Sequence, residues 1–448
     1  MKSSFFRGVR IVFAVFAVIG LAVLAWYATR PGPLVFAAGK TVALGAYSGH
    51  PTGAPVDLSE TDPVARGRYL AQAADCEACH TAEGGKPFAG GLAFETPFGT
   101  LYSPNITPDK ETGIGAWTDA DFLKAVHEGI DKDGERLYPA FPYAAYTYIT
   151  DEDVLAIKTY LFSLAPVKNT PPESDLRFPY NQRWLMVFWS GLFNPKQRFQ
   201  PVADRSPEWN RGAYLVEALA HCGECHTPRN LMQALDNKSK FVGAVVDNWH
   251  AYNITPDSST GVGNWSEAEL AQYLSTGHAK GHGTASGPMA QAVELSFEKM
   301  TPGDIRAIVT YLRSVPAITA TDLPASKAAP APANPKQGLT AEVDPRGKQV
   351  FEGACASCHA WTGESPLDSR ATLTGSRSVN DPSAINVAKI ILSGSQWQSA
   401  DSTLAMPAFG AAYDDREIAA VANYVTARFG AKSSTLTADD VRKLRAVK

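Results

Sequence analysis

The hydrophobic pattern divides the chain into one long apolar run followed by shorter stretches that repeat. The run extends from Ile11 to Ala28, preceded by Lys2, Arg7 and Arg10 and ended by Arg30, Pro31 and Pro33. A basic start followed by an apolar stretch reads as an export signal. Its 18 residues are close to the minimum for a membrane-spanning helix. Residues 1–30 therefore fit a signal peptide or a retained anchor, and Val35-Phe36-Ala37 resembles a cleavage site. In both cases the remaining chain lies outside the cytoplasmic membrane.

Downstream, the helical patterns recur. Arg66-Gly67-Arg68-Tyr69-Leu70 returns as Arg211-Gly212-Ala213-Tyr214-Leu215, and Arg346-Gly347 opens a third copy. Ala156-Ile-Lys-Thr-Tyr160-Leu161 returns as Ala307-Ile-Val-Thr-Tyr311-Leu312, with Ala422-Asn423-Tyr424-Val425 as the third version. Asn105-Ile-Thr-Pro-Asp109 recurs 148 residues later as Asn253-Ile-Thr-Pro-Asp257, and Gly113 and Trp117 map at the same offset onto Gly261 and Trp265. Each unit thus has a first helix whose glycine lets another helix approach closely, and a last helix whose tyrosine is the natural partner. Thr150 with Asp151 and Asp153, and Thr301 to Asp304, read as helix starts. No convincing alternation of period two appears, so the units are small all-α domains.

The resulting division is 1–30 signal or anchor, 31–60 linker, 61–168 first domain, 169–205 connector, 206–320 second domain, 321–344 linker, 345–431 third domain and 432–448 tail helix. The second linker is rich in Ala and Pro, which predicts a semi-rigid spacer and some freedom for the third domain. The connector crowds Phe178, Trp184, Leu185, Met186, Phe188, Trp189, Leu192 and Phe193 between Arg177, Arg183, Lys196 and Arg198. It fits either a helix packed on the first two domains or an interfacial surface for membrane or subunit. The tail, from Thr437, reads as a capped helix with a basic end, either solvated or with a docking role.

A chain of 448 residues with 45% hydrophobic content can build several cores. Its net charge of −4 and its motifs point away from nucleic acid. All six cysteines fall in one repeated pentapeptide: Cys76-Glu-Ala-Cys79-His80, Cys222-Gly-Glu-Cys225-His226 and Cys355-Ala-Ser-Cys358-His359. Two thiols three positions apart lie on one side of a helical turn, where both can add to the vinyl groups of one haem. The following histidine then reaches the iron. A zinc site would need a second ligand pair at matching spacing, and a dithiol redox pair would not need the histidine each time. Three covalently bound haem c groups are expected, with His80, His226 and His359 as iron ligands.

The six methionines allow a check on the opposite ligand, since a thioether raises haem potential. Met289, in Ser286-Gly287-Pro288-Met289, and Met406, in Leu404-Ala405-Met406-Pro407, are placed in loops before the last helix and assigned to haems 2 and 3. Met300 and Met232 read as packing. At the corresponding place in the first unit stands Phe141. Haem 1 could take Met186 from the connector, stay open or water-bound, or use His127 or a ligand from another subunit. Asn105, Thr107, Asn253, Thr255 and the two tryptophans could bind haem propionates or simply brace loops. His221, His250, His278 and His282 read as surface or propionate-side residues.

The segments TPFGTLYSPNITPD and YNITPD, the stretch EWNRGAYLVEALAHCGECHTPRN and the loop LAMPAFG resemble the triheme cytochrome c subunits of membrane-bound bacterial dehydrogenases. The resemblance covers nearly the whole chain. It implies three tandem cytochrome c-like domains on the periplasmic side of the inner membrane. It further implies electron uptake from a catalytic subunit that oxidises an alcohol, aldehyde or sugar acid, and delivery to ubiquinone or a terminal oxidase. By the family pattern Met289 and Met406 are distal ligands. Many members carry Met where this chain has Phe141; the Phe form is similar to the aldehyde-oxidising members. On this reading the chain is not an enzyme by itself, and no nucleophile–base arrangement or dinucleotide motif stands out. The rival reading is a peroxidase-like enzyme with an open haem 1.

Overall fold

The computed structural model describes residues 2–29, 32, 39–58, 62–334, 337–398 and 403–446. The apolar run lies in a helix, Lys2–Thr29, with Ile11, Phe13, Phe16 and Leu21 exposed. Among the described residues no helix is long and apolar enough to cross a membrane. The cleavage-like Val35-Phe36-Ala37 and the terminating Arg30, Pro31 and Pro33 lie outside the described residues.

Each domain opens on the same local device. Asp62-Pro63, Ser206-Pro207 and Asp344-Pro345 place a capping side chain before a proline at the first helical position. Proline is at home there because that N–H has no partner in the helix, and the cap accepts from one of the other free N–H groups. The helices so started are Pro63–Ala73, Pro207–Tyr214 and Pro345–Val350, the last two running on through a wider turn towards their cysteines. The closing helices, Asp151–Ser163, Pro302–Ser314 and Asp415–Phe429, begin at Thr150, Thr301 and Asp414, whose side chains accept from backbone N–H groups of the first turn.

First and last helix cross on the predicted glycine in all three domains. A Cβ on Gly67, Gly212 or Gly347 would strike the carbonyl of Ala156, Ala307 or Ala420. It would also come within 2.9, 2.8 and 3.0 Å of the Cβ of Tyr160, Tyr311 and Tyr424. Between them lies a third helix, Asp119–Glu128 or Glu267–Thr276, started by a reciprocal capping box and stopped by a left-handed glycine, Gly129 or Gly277.

The all-α expectation needs one correction. Among the described residues there are four small antiparallel sheets, one of three strands and three of two. Ala93–Thr96 pairs with Gly99–Tyr102, Ala244–Val246 with Trp249–Ala251, and Ser395–Gln398 with Thr403–Met406. Runs of two to four residues are too short to display a period of two in the sequence.

The first two domains share one hydrophobic core, and the third has its own. The junction of the first two is an exchanged lock. Tyr69 of the first domain donates to Asp304 of the second at 2.6 Å, and Tyr214 of the second donates to Asp153 of the first at 2.6 Å. Burial and the facing carboxylate hold both phenols well above the ordinary range, so each keeps its proton. Each aspartate is also bound by an arginine of its own domain: Arg66 at 3.1 Å, and Arg211 through two bonds of 2.8 and 2.7 Å. Residues 40–53 do more than link. Thr41 bridges Val202, Gly53 N–H donates to Asp153, and the carbonyls of Pro51 and Gly53 accept from Arg211.

The Ala/Pro segment is laid along the third domain rather than left as a free spacer. Lys327 N–H donates to Asn380, Ala331 N–H to Thr362, and the buried Arg428 donates to the carbonyls of Pro332 and Gln337. The tail helix, Ala438–Ala446, buries Val441 and Leu444 on the third domain, so it belongs to that core and is not merely solvated. In the connector, helix Met186–Phe193 packs by one face only. Trp189 stands edge-on to Tyr143 and its indole N–H donates to the Met232 carbonyl, whereas Phe178, Trp184 and Phe188 are exposed.

Candidate haem sites

Each pentapeptide forms a single turn after its domain's first helix, in the segments Cys76–His80, Gly223–His226 and Ala356–His359. No cysteine is bonded to another. Burial pushes the thiols of Cys76, Cys79 and Cys222 up to about 12, so they are held as neutral S–H groups. Burial also lowers all three histidines, favouring neutral imidazole.

The three rings are oriented identically. His80 Nδ1 faces the carbonyl of Pro104 at 2.8 Å, His226 Nδ1 that of Tyr252 at 2.6 Å, and His359 Nδ1 that of Ala371 at 2.5 Å. A carbonyl can only accept, so the proton sits on Nδ1 and Nε2 carries the free lone pair. That is the tautomer an iron ligand requires, fixed by an outer-shell bond. The residues therefore fit haem c: two thiols, a neutral imidazole presenting Nε2, and an apolar wall.

For the first two domains the wall is common. One cavity of about 1660 Å³ is lined by Cys76, Cys79 and His80 and also by Cys222, Cys225 and His226. Its size exceeds the roughly 300–1,000 Å³ of a single small-ligand pocket. Trp117, Trp265, Phe141, Met186 and Met289 line it as well. His127 does not. Its ring is buried and its Nδ1 lies 2.5 Å from the Arg198 guanidinium, with burial and that charge pushing it down to about 4. The structure thus removes His127 from the candidates for haem 1 and brings Met186 to the cavity beside Phe141.

The two assigned methionines are not in irregular loops. Met289 is in the first turn of helix Pro288–Leu295, and Met406 ends a strand paired with Ser395. Met289 packs on the shared core and Met406 on the core of the third domain, together with Cys355, Trp361 and Leu373. Met300 is buried as expected; Met232 is half exposed at the cavity rim.

The Asn-Ile-Thr loops use their polar atoms internally. Asn105 accepts from Thr107 and donates to the Val167 carbonyl, and Asn253 accepts from Thr255 and donates to the Ile318 carbonyl. These are loop braces. The other four histidines of the second domain make contacts that the sequence does not disclose. His221 packs edge-on to Tyr146, whose hydroxyl donates to the Ala74 carbonyl just before the first pentapeptide. His282 stacks on Trp265 at 4.0 Å, and His250 and His278 reach the third domain. Only contacts remote in sequence distinguish them.

Tandem helical domains, each presenting a thiol pair and an oriented imidazole to an apolar wall, define a class of protein that binds haem c covalently more than once. The cytochrome c family model matches residues 64–165, 210–316 and 345–428. The chain belongs to the cytochrome c family, and within it to the group of dehydrogenase cytochrome subunits. It is 39% identical over 399 residues to the gluconate 2-dehydrogenase cytochrome c subunit of Pantoea cypripedii, covering 85% of this chain and 89% of that one. It is 39% identical over 406 residues to the fructose dehydrogenase cytochrome subunit of Gluconobacter japonicus, covering 86% and 82%. With a nicotinate dehydrogenase subunit of Pseudomonas putida it shares 42% identity over 370 residues, which is 82% of this chain but 30% of that longer protein.

Proposed function

We propose that this chain is the triheme electron-transfer subunit of a dehydrogenase complex on the periplasmic face of the bacterial inner membrane. It receives electrons from a catalytic subunit that oxidises an alcohol, aldehyde or sugar acid and passes them to ubiquinone or a terminal oxidase. The apolar N-terminal run serves as its export signal, whether removed or retained. The observation that carries this reading is the threefold recurrence of one geometry, a neutral histidine whose Nδ1 proton is held by a backbone carbonyl directly after a thiol pair.

Haem c, when bound, supplies a one-electron iron couple. The chain's own residues do the rest. Cys76 and Cys79, Cys222 and Cys225, and Cys355 and Cys358 would each hold one macrocycle through two thioether bonds. His80, His226 and His359, with Nδ1 held by a carbonyl, would offer Nε2 to the iron. Met289 and Met406 would supply sulfur ligands to two of the irons, and Met186 would do so for haem 1 unless that site is open. Apolar walls exclude water, which favours the less charged reduced state. The common cavity of the first two domains would hold both of their haems within one apolar enclosure.

A pyridine haemochrome assay on the purified protein is expected to return three haems per chain; fewer would sink the reading. Met289→Ala is expected to open one site, so that the ferrous protein gains one carbon monoxide-binding haem and one midpoint potential falls. Met186→Ala is expected to do the same for haem 1. An unchanged spectrum in Met186→Ala, with carbon monoxide already bound by the wild type, would instead favour the open-site, peroxidase-like reading.

A further inference from the structure

The carbonyls that hold the proximal histidines are themselves held, and not always by their own domain. Tyr252, whose carbonyl accepts from His226, belongs to the second domain. Its hydroxyl donates to Asp381 of the third domain at 3.1 Å. Two residues earlier, His250 is clamped by the third domain at both backbone atoms. Its N–H donates to Asn386 at 2.8 Å, and its carbonyl accepts from the Asn386 amide at 2.9 Å. The His250 ring also pairs with Asp381 at 2.9 Å, with side chains only 9% and 2% exposed.

The converse holds on the other side. Ala371, whose carbonyl accepts from His359, follows Ser369 and Arg370 of the third domain. The Arg370 carbonyl accepts from Thr284 of the second domain at 3.1 Å, and the Ser369 hydroxyl meets His278 Nε2 at 3.0 Å. In the first domain the arrangement is local. Pro104 lies between Ser103, bonded to Leu92, and Asn105, bonded to Val167 and Thr112.

We infer that the second and third haem sites are tuned in trans, each proximal histidine having its hydrogen-bond acceptor positioned by side chains of the other domain. The inference rests on the haem assignment above. The physical link is the Nδ1–H···O=C bond: a closer carbonyl makes the imidazole a stronger donor to iron and favours the oxidised state. Asn386 and Asp381 set where the Tyr252 carbonyl sits, and Thr284 and His278 set where that of Ala371 sits. They are positioning residues, and the first haem has no such dependence on a neighbouring domain among the described residues.

The test uses the full-length protein and a spectroelectrochemical titration resolved into three components. Asn386→Ala is expected to move one component, and Thr284→Val, which keeps shape but loses the donor, a different one. Each shift should correspond to about a tenfold change in the oxidised-to-reduced ratio at fixed potential. The third component should move in neither variant. Asp381→Asn, which preserves volume, is expected to move the same component as Asn386→Ala. The iron–histidine stretch in resonance Raman spectra should shift for the affected haem alone. If three haems are present but no component moves, or all three move together, the trans tuning is wrong. A haem count below three would instead overturn the haem assignment itself.

Discussion

Asp304→Ala is expected to destabilise the joined first two domains by about 3–5 kcal/mol, the cost of stranding a buried charge. The Arg211 side chain is 11% exposed and that of Asp304 6%, and the two are joined by parallel bonds of 2.8 and 2.7 Å. Removing the carboxylate leaves the guanidinium with the carbonyls of Pro51 and Gly53, and leaves the Tyr69 hydroxyl without its acceptor. The equivalent change on the exposed partner gives the contrast. Arg66 is 42% exposed and makes one bond of 3.1 Å to Asp153, which is buried but keeps the Gly53 N–H and the Tyr214 hydroxyl as donors, so Arg66→Ala should cost less, about 1–3 kcal/mol. Denaturant titrations followed by tryptophan fluorescence would compare them, since Trp209 is buried against Tyr311 in that core. An Asp304→Ala protein that unfolds at the wild-type midpoint would show that the exchanged lock does not hold the domains together.

The second large effect is expected at the helix crossing. Gly212→Ala drives a methyl group into the Ala307 carbonyl and the Tyr311 Cβ, and a backbone atom cannot rotate away. Overpacking of this kind costs about 1–3 kcal/mol or more, and the backbone obstacle places this case at the upper end. The same helix ends at Leu219, two residues short of the attachment turn, so a displaced axis also displaces that turn and should reduce haem incorporation in the second domain. Gly353 is the control. A Cβ there meets nothing within 4 Å, and Gly353→Ala should be neutral or stabilising by about 0.5 kcal/mol. The measurements are the unfolding midpoint and the haem-to-protein absorbance ratio. A Gly212→Ala protein with wild-type values for both would remove the crossing from the account of the fold.

The residues that sequence reading handled well are those whose chemistry is local. Two cysteines and a histidine within five positions carry their meaning in the spacing. The glycine and tyrosine of the paired helices appear three times, and repetition shows which features are retained in each unit. The capping threonines were legible because a cap acts over three residues. The same window hid the further role of Asp153 and Asp304. Each looks like an ordinary acid in a first helical turn, yet each accepts a proton donor from the other domain.

Other readings failed for the same reason. Linker composition predicted freedom for the third domain, but Asn380 and Arg428 capture that segment from 53 and 91 residues away. Met289 and Met406 looked like loop residues because an adjacent proline masks a short helix or strand. Of the histidines of the second domain, His250 and His278 are set apart by the third domain, which no local pattern discloses.

By itself the sequence determined the number of units, their attachment chemistry, the helix pair of each and the family they form. Such features rest on covalent spacing and on backbone bonds that span a few residues. Tertiary structure alone decided that the first two cavities merge, that His127 is turned away while Met186 faces in, and which domain supports which proximal histidine. Those outcomes depend on side chains brought together across separations such as 61, 131 and 235 residues. Contacts at that range obey packing and charge pairing in three dimensions, and no period along the chain records them.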